Sequence, residues 1–342
     1  MMAEKSKNAS PLDLKRIKLE LDDNDQLMII LEYNQLPSEL YKYYLINDNS
    51  INSFQNEAVF ISHPDNLNDT MEGNLKLWDF EELFKMMRVE GIKFDESQEK
   101  SKFFTEYYEK YFEYRGILCF TKSYQNNLFW PHYTNETGFC IEFNSELMTD
   151  SIKKNNSHIV SEHIYPISYG DLTKIDLLEH CAYKPSNDGI DKEFNSNIPS
   201  MYTVSIKDKL WEYEDEWRIV AKSRVSLNDK SFRKLKYDVA SITRIFLAEN
   251  FFSKNRFESE KEQPSIVKKF IFKKEHSDYK NILVFIGIIF NKFNDKTYII
   301  GRIENGNVIE KNIEFQVIIR SYDIHSVKIE FQEFQVIRGK IN

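Results

Sequence analysis

Residues 103–123, FFTEYYEKYFEYRGILCFTKS, change period in mid-course. Up to Tyr114 the aromatics recur at i, i+3 and i+4, the stripe of a helix with one buried face. From Arg115 the run reads as a buried strand. A helix that runs straight into a strand restricts the chain to folds mixing both elements.

The flanking sequence extends that pattern. LYKYYLI (40–46) is expected to be a strand, DNSINSFQNE (48–57) a capped helix and AVFIS (58–62) a short buried strand. HPDNLNDTMEGN is a turn-rich loop, and 76–114 is expected to be helical. NLFWPHYT starts a short helix, TGFCIEFN a strand, and NSEL caps a helix reaching about 155. HIVSEHIYPISYGD is extended, 171 to about 209 is expected to be helical, and KLWEYEDEWRIVAKS enters a strand, followed by FRKLKYD and ITRIFLA. Strand, helix, strand, long helices and then several strands argue for an α+β fold, a mixed sheet core with flanking helices.

Beyond residue 263 the runs NILVFIGIIF, KTYIIGRI, NVIEKNIEFQVIIR and SVKIEFQEFQVIR are expected to be β-rich. Asn305-Gly306 is a hairpin signal, and EFQVIIR (314–320) returns as EFQVIR (333–338), as two equivalent strands would. Three segments follow: a partly disordered lead at 1–37, with a tag-like start at 1–11, an α+β core at 38–262 and a β-rich C-terminal module at 263–342. The module is assigned to packing or to a protein partner.

Several function classes are excluded by composition. A net charge of −8 disfavours a general nucleic-acid binder. The longest apolar run, 281–290, falls short of the roughly 20 residues of a membrane span. With no secretory core at the N-terminus, the protein is expected to be cytoplasmic. The cysteines, Cys119, Cys140 and Cys181, are odd in number and lack metal spacing, so no metal is expected, and Cys119 and Cys140, in the apolar runs GILCF and GFCIEF, are expected in the core. Neither GxGxxG nor GxxxxGK[ST] occurs.

Four clusters remain as candidates for chemistry. Alternation sends Tyr41 and Tyr43 to one face of their strand and Lys42 to the other. In the loop 64–69, Asn68 and Asp69 either build turns or hold a ligand's hydroxyls. In FWPHYT, Trp130 and Tyr133 share a helix side and His132 lies off it; with no HExxH companion, a hydrogen-bonding or stacking role suits His132 better than metal binding. In WEYEDEWR, an extended run would put Glu212, Glu214, Glu216 and Arg218 on one face. A helical run would make Leu210, Tyr213 and Trp217 a stripe and pair Glu214 with Arg218. IVAKS favours the extended reading for the later half, and crowded carboxylates need a cationic partner such as Arg218.

LYKY, FISHPDNLNDTME, GILCFTKSYQNNLFWPHYTNETGFCIEF and KLWEYEDEWRIV, in that order, resemble the signatures of a bacterial family, domain of unknown function 2971. The resemblance covers roughly residues 38–260, and Asp69-Thr70-Met71 departs from the small apolar pair usual there. It implies a setting among abortive-infection and phage-defence proteins. The layout is also similar to the compact ADP-ribosyltransferase fold, which implies NAD as cofactor and a small-molecule nucleotide as partner. On that analogy Tyr41, Tyr43, Asn68, Asp69, Trp130, Tyr133 and Arg218 bind the cofactor, while Glu214, Glu216 and His132 are catalytic. A carboxylate near the ribose would serve the oxocarbenium character that develops as the nicotinamide bond breaks. The implied activity is NAD-dependent ADP-ribosyl or glycosyl transfer, or NAD hydrolysis. The alternative is a non-catalytic sensor or antitoxin-like binding protein in which Glu214 and Arg218 form a buried structural tie. Converging Asp69, Glu72, Glu214 and Glu216 would instead suggest a nuclease, though not as an obvious two-metal set.

Overall fold

The computed structural model describes residues 12–23, 26–31, 36–186, 189–248, 250–251, 257–259, 267–272, 278–292, 297–300, 303–304, 307–308, 313–322 and 326–335. The tag-like start at 1–11 and the Asn305-Gly306 turn lie outside these residues. The chain is α+β, as its element order implies. It divides into two compact units, each assembled from three separate segments: residues 1–36, 60–119 and 156–234 in the first, 37–59, 120–155 and 235–342 in the second.

In the first unit, strand Glu216–Ser223 pairs antiparallel with strand Ile159–Pro166, and strand Arg115–Thr121 is its other neighbour. Strands Leu12–Asp13, Ile17–Leu21 and Leu27–Leu31 form a small antiparallel sheet that sends Ile17 and Leu19 into the core. Helices Glu81–Val89 and Glu96–Phe103 pack Leu83, Phe84, Met87 and Phe103 into the same core. The aromatic stripe is a core face, with Tyr108, Tyr111 and Phe112 buried. A π-helical stretch, Phe104–Glu109, joins the two halves of its helix.

Two expectations on this unit are corrected. Trp78 opens no helix: Trp78–Asp79 is a short strand parallel to Ile175–Asp176. The segment 171–209 is helical only at Asn197–Thr203 and in a 3₁₀ turn, Leu178–His180. Cys181–Ser186 and Gly189–Phe194 instead pair as antiparallel strands. Pro185 is compatible with a two-stranded ribbon whose strands are both edges.

His180 ends the 3₁₀ turn almost wholly buried, its Nδ1 without a hydrogen-bond partner. Burial pulls its pKa down to about 4, and burial also lowers His63 and His163. The unfolded chain therefore takes up the proton first. Stability from His180 is complete above pH 6.5 and is lost as pH falls toward 4, by about 3 kcal/mol. Urea unfolding measured from pH 7.5 to 4 should show this loss, and His180→Gln should flatten much of it. An unchanged slope in the variant would disprove the assignment.

In the second unit, strand Phe139–Asn144 is flanked antiparallel by Glu39–Tyr44 and by Ile242–Leu247. Asn47 caps helix Asp48–Gln55 through a capping box with Ser50. Helix Phe129–Thr134 ends at Asn135 in the left-handed region (φ 49°). Gly138 then lets the chain pass close to the backbone, since a Cβ there would lie 2.0 Å from the Tyr44 carbonyl oxygen.

NILVFIGIIF is a helix, Tyr279–Lys292, and not a strand. Ile282, Phe285, Ile286 and Ile289 bury one stripe, and Phe285 packs on Phe54, Phe139 and Phe251. An apolar run of ten has no polar face to betray its period, and its isoleucines misled the strand assignment. Further along, Ile313–Tyr322 and Ser326–Gln335 pair antiparallel with Val317 opposite Phe331, so residues 314–320 and 333–335 of the two echoing segments lie on paired strands.

Candidate functional site

The acidic motif of the first unit folds in two parts. Strand Ile206–Asp208 runs parallel to Ser168–Gly170, and Asp208 caps the 3₁₀ turn Lys209–Glu214 by accepting from the Leu210 N–H at 2.8 Å. Asp215 adopts the left-handed region (φ 38°), and strand Glu216–Ser223 follows. The extended reading thus holds for the later half only. The break at Asp215 takes Glu212 out to solvent but turns Glu214 and Glu216 inward onto one cation.

That cation is Lys207. Its Nζ lies 2.6 Å from Glu214 Oε2 and 3.3 Å from both Glu216 Oε2 and Glu72 Oε1. Arg218 grips Glu216 with a two-pronged bond, Nε to Oε1 at 2.7 Å and Nη2 to Oε2 at 2.9 Å. Its Nη2 also donates to Glu72 Oε1 at 2.5 Å, and its Nη1 to the Val204 carbonyl at 2.9 Å. The Glu216 N–H donates to the Tyr169 hydroxyl at 2.8 Å. All five charged side chains are nearly sealed from water, and Arg218 is 0% exposed.

Such burial is tolerable only because the charges compensate one another. Burial pushes the Glu216 carboxyl up, but Arg218 and Lys207 overcome it and hold the group down at about 2. Burial works against the Lys207 and Arg218 charges as well, and the surrounding glutamates raise both pKa values nonetheless. Glu72 behaves differently. Burial outweighs the attraction of Arg218 and raises its pKa, and its Oε2 has no hydrogen-bond partner.

Glu72 reaches the cluster through the polar loop. Asp69 Oδ1 accepts from the Met71 N–H at 2.9 Å, and the Asp69 carbonyl from the Glu72 N–H at 3.1 Å. Gly73 follows in the left-handed region (φ 62°), donating to the Thr203 carbonyl at 2.9 Å, while the Tyr108 hydroxyl donates to the Gly73 carbonyl. Asp69 is therefore a turn-maker here and Asn68 is exposed. Glu72, Glu214 and Glu216 do converge, and Asp69 turns to its own loop backbone instead.

The aromatic candidates lie in the second unit. Tyr41 and Tyr43 share a face, opposite Glu142 and Cys140 of the neighbouring strand. The Tyr41 hydroxyl donates to Glu142 Oε2 at 2.8 Å, and Arg244 from the third strand grips Glu142, with Nη2 2.7 Å from Oε2. Burial, then Glu142, raises the Tyr41 pKa, and burial raises that of Tyr43. Tyr43 meets Trp130 edge-on at 4.9 Å and Phe129 at 5.1 Å, and Trp130 Nε1 donates to the Tyr124 carbonyl at 3.0 Å. Tyr133 stacks on Phe129 at 4.9 Å, and His132 is exposed on the other side of the helix.

The ten candidates thus fall into two groups. Glu214, Glu216 and Arg218 converge in the first unit, with Asn68 and Asp69 on the loop that delivers Glu72. Tyr41, Tyr43, Trp130 and Tyr133 belong to an aromatic cluster in the second unit, with His132 on its helix. Sequence reasoning missed Lys207, Glu142 and Arg244. Lys207 follows Ile206 in VSIKD but precedes Asp208 and Lys209, so no local signal marks it as a buried charge. Glu142 and Arg244 become partners only through strand register. A cleft of about 620 Å³ in the first unit, bordered by Trp78, Phe80, Phe84 and Lys100, touches none of the ten.

Fold and site together define an α+β protein carrying a buried charge cluster at the end of a sheet strand. Residues 129–219, from the aromatic helix into the Arg218 strand, match the sequence model of the family described as Protein of unknown function (DUF2971). This bears out the family expected from the motifs. No curated protein and no solved structure matches the chain. Among the described residues, no helix is long and apolar enough to cross a membrane.

Proposed function

We propose that the protein is a non-catalytic binding protein of the sensor or antitoxin-like kind, acting in the cytoplasm in a defence setting. One observation carries this reading: Glu214, Glu216 and Arg218 are buried and saturated by one another and by Lys207, so the carboxylates are closed to a ribose. A catalytic carboxylate must reach its substrate within hydrogen-bond distance. The buried pair instead behaves as the tie that fixes turn and strand.

A second reading, NAD-dependent ADP-ribosyl or glycosyl transfer or NAD hydrolysis, is favoured by the meeting of Glu214 and Glu216 beside two cations. It requires the turn Lys209–Glu214 to lift. Nicotinamide release from NAD separates the two. The binding reading expects no turnover by the wild type, with Glu214→Gln and Glu216→Gln simply melting earlier. Turnover that either variant abolishes would replace it with the enzymatic reading.

A further inference from the structure

Three basic side chains of the first unit, Arg115, His163 and Lys222, meet on one sheet face at the far end of the strand that carries Arg218. Strand register sets them there. His163 stands opposite Val220 and Lys222 opposite Ser161, so His163 and Lys222 are diagonal neighbours. The Ser223 N–H donates to the Tyr114 carbonyl at 2.8 Å, which brings Arg115 beside Lys222 from the other flanking strand. Glu162 adjoins His163 in sequence but stands opposite Ala221, on the other face of the sheet.

Like charges side by side across strands are destabilising, and all three side chains are half-buried. Among the described residues none of the three has an acidic partner. Burial, then Arg115 and Lys222, lowers the pKa of His163, and burial, then Arg115, lowers that of Lys222. The Arg115 guanidinium lies over the Tyr111 ring, 3.7 Å from its centre, and Nη1 donates to the Tyr111 carbonyl at 3.1 Å. That leaves most of its five N–H groups unspent. Lys222 makes no hydrogen bond or ion pair among the described residues, and the Tyr111 hydroxyl is buried without a partner. A face that needed only to be solvated would gain by alternating its charges.

We infer that Arg115, His163 and Lys222 form a binding site for the phosphate group of a small ligand. Two fixed positive charges match a phosphate dianion, and the guanidinium fork and the ammonium both give it charge-assisted hydrogen bonds. His163, neutral at pH 7, adds a ring N–H. A polynucleotide would call for a longer basic track, against which the net charge of −8 stands. The site gives the binding reading above its ligand class and rests on that reading for its role.

The test titrates the full chain with inorganic phosphate and, separately, with acetate, against sodium chloride of equal ionic strength. Heat of binding and melting temperature are read for wild type, Lys222→Gln and Lys222→Arg. Wild type should give a saturable heat with phosphate and a weaker one with acetate. Lys222→Gln should weaken phosphate binding at least about tenfold, the loss of a hydrogen bond to a charged group, and Lys222→Arg should keep most of it. In chloride, Lys222→Gln should melt no lower than wild type because it relieves repulsion, whereas loss of a structural lysine would lower the melting temperature. The stabilisation that phosphate gives any folded protein does not saturate and would be equal in all three. No saturable heat, acetate binding as tight as phosphate, or unchanged affinity in Lys222→Gln overturns the proposal. So does a Lys222→Gln that fails to fold, since a cation without a partner cannot be needed for folding. Turnover of NAD by the wild type would end the non-catalytic reading without altering this titration, so the two failures stay distinguishable.

Discussion

Arg218→Ala is expected to cost about 3–5 kcal/mol, the range for removing one partner of a buried ion pair. Arg218 bonds Glu216 on both oxygens, and it also holds Glu72 and the Val204 carbonyl. Its loss takes one of the cluster's two cations away from three buried glutamates. Against a whole-domain stability of about 5–15 kcal/mol, that loss should bring unfolding of the first unit within easy reach of urea. Arg218→Lys should fall between wild type and alanine, because an ammonium cannot reproduce the two-pronged grip. The concerted replacement Glu72→Met, Glu216→Leu, Arg218→Met should cost far less than Arg218→Ala, since it removes the charges together. A loss below about 1 kcal/mol in Arg218→Ala would show that the cluster is no tie.

Gly73→Ala is the second large effect, expected at about 2–5 kcal/mol. The left-handed backbone at this position costs a residue with a Cβ about 1–2 kcal/mol, and overpacking adds about 1–3 kcal/mol. The added carbon would lie 2.4 Å from Pro64 Cβ and 2.7 Å from the Tyr108 hydroxyl, so something must move. Thermal melts against wild type, with hydrogen exchange at 69–74, check both the cost and the loosening of Glu72. Stability within about 0.5 kcal/mol of wild type would refute the argument.

Both effects were partly legible in the sequence. The period-2 alternation of LYKYYLI and GFCIEF, the helical spacing of the aromatic stripe and the extended run IVAKS each matched the element that forms. Local pattern was enough there because the spacing of apolar residues in each segment suits one kind of element. The same logic put Trp130 inside and His132 outside. It failed where the pattern was uniform, at NILVFIGIIF, and where a two-stranded ribbon replaced expected helix at 181–194.

Local sequence therefore determined the α+β class, the family motifs and most strand and helix identities, because backbone sterics and one-sided burial act over a few residues. Tertiary structure alone decided which charges meet. Glu72 lies 135 positions before Lys207, and Glu142 lies 102 before Arg244. No local rule relates such residues: register, a left-handed Gly73 and a left-handed Asp215 bring them together. Once they are sealed from water, the low local dielectric makes each partner's presence decisive.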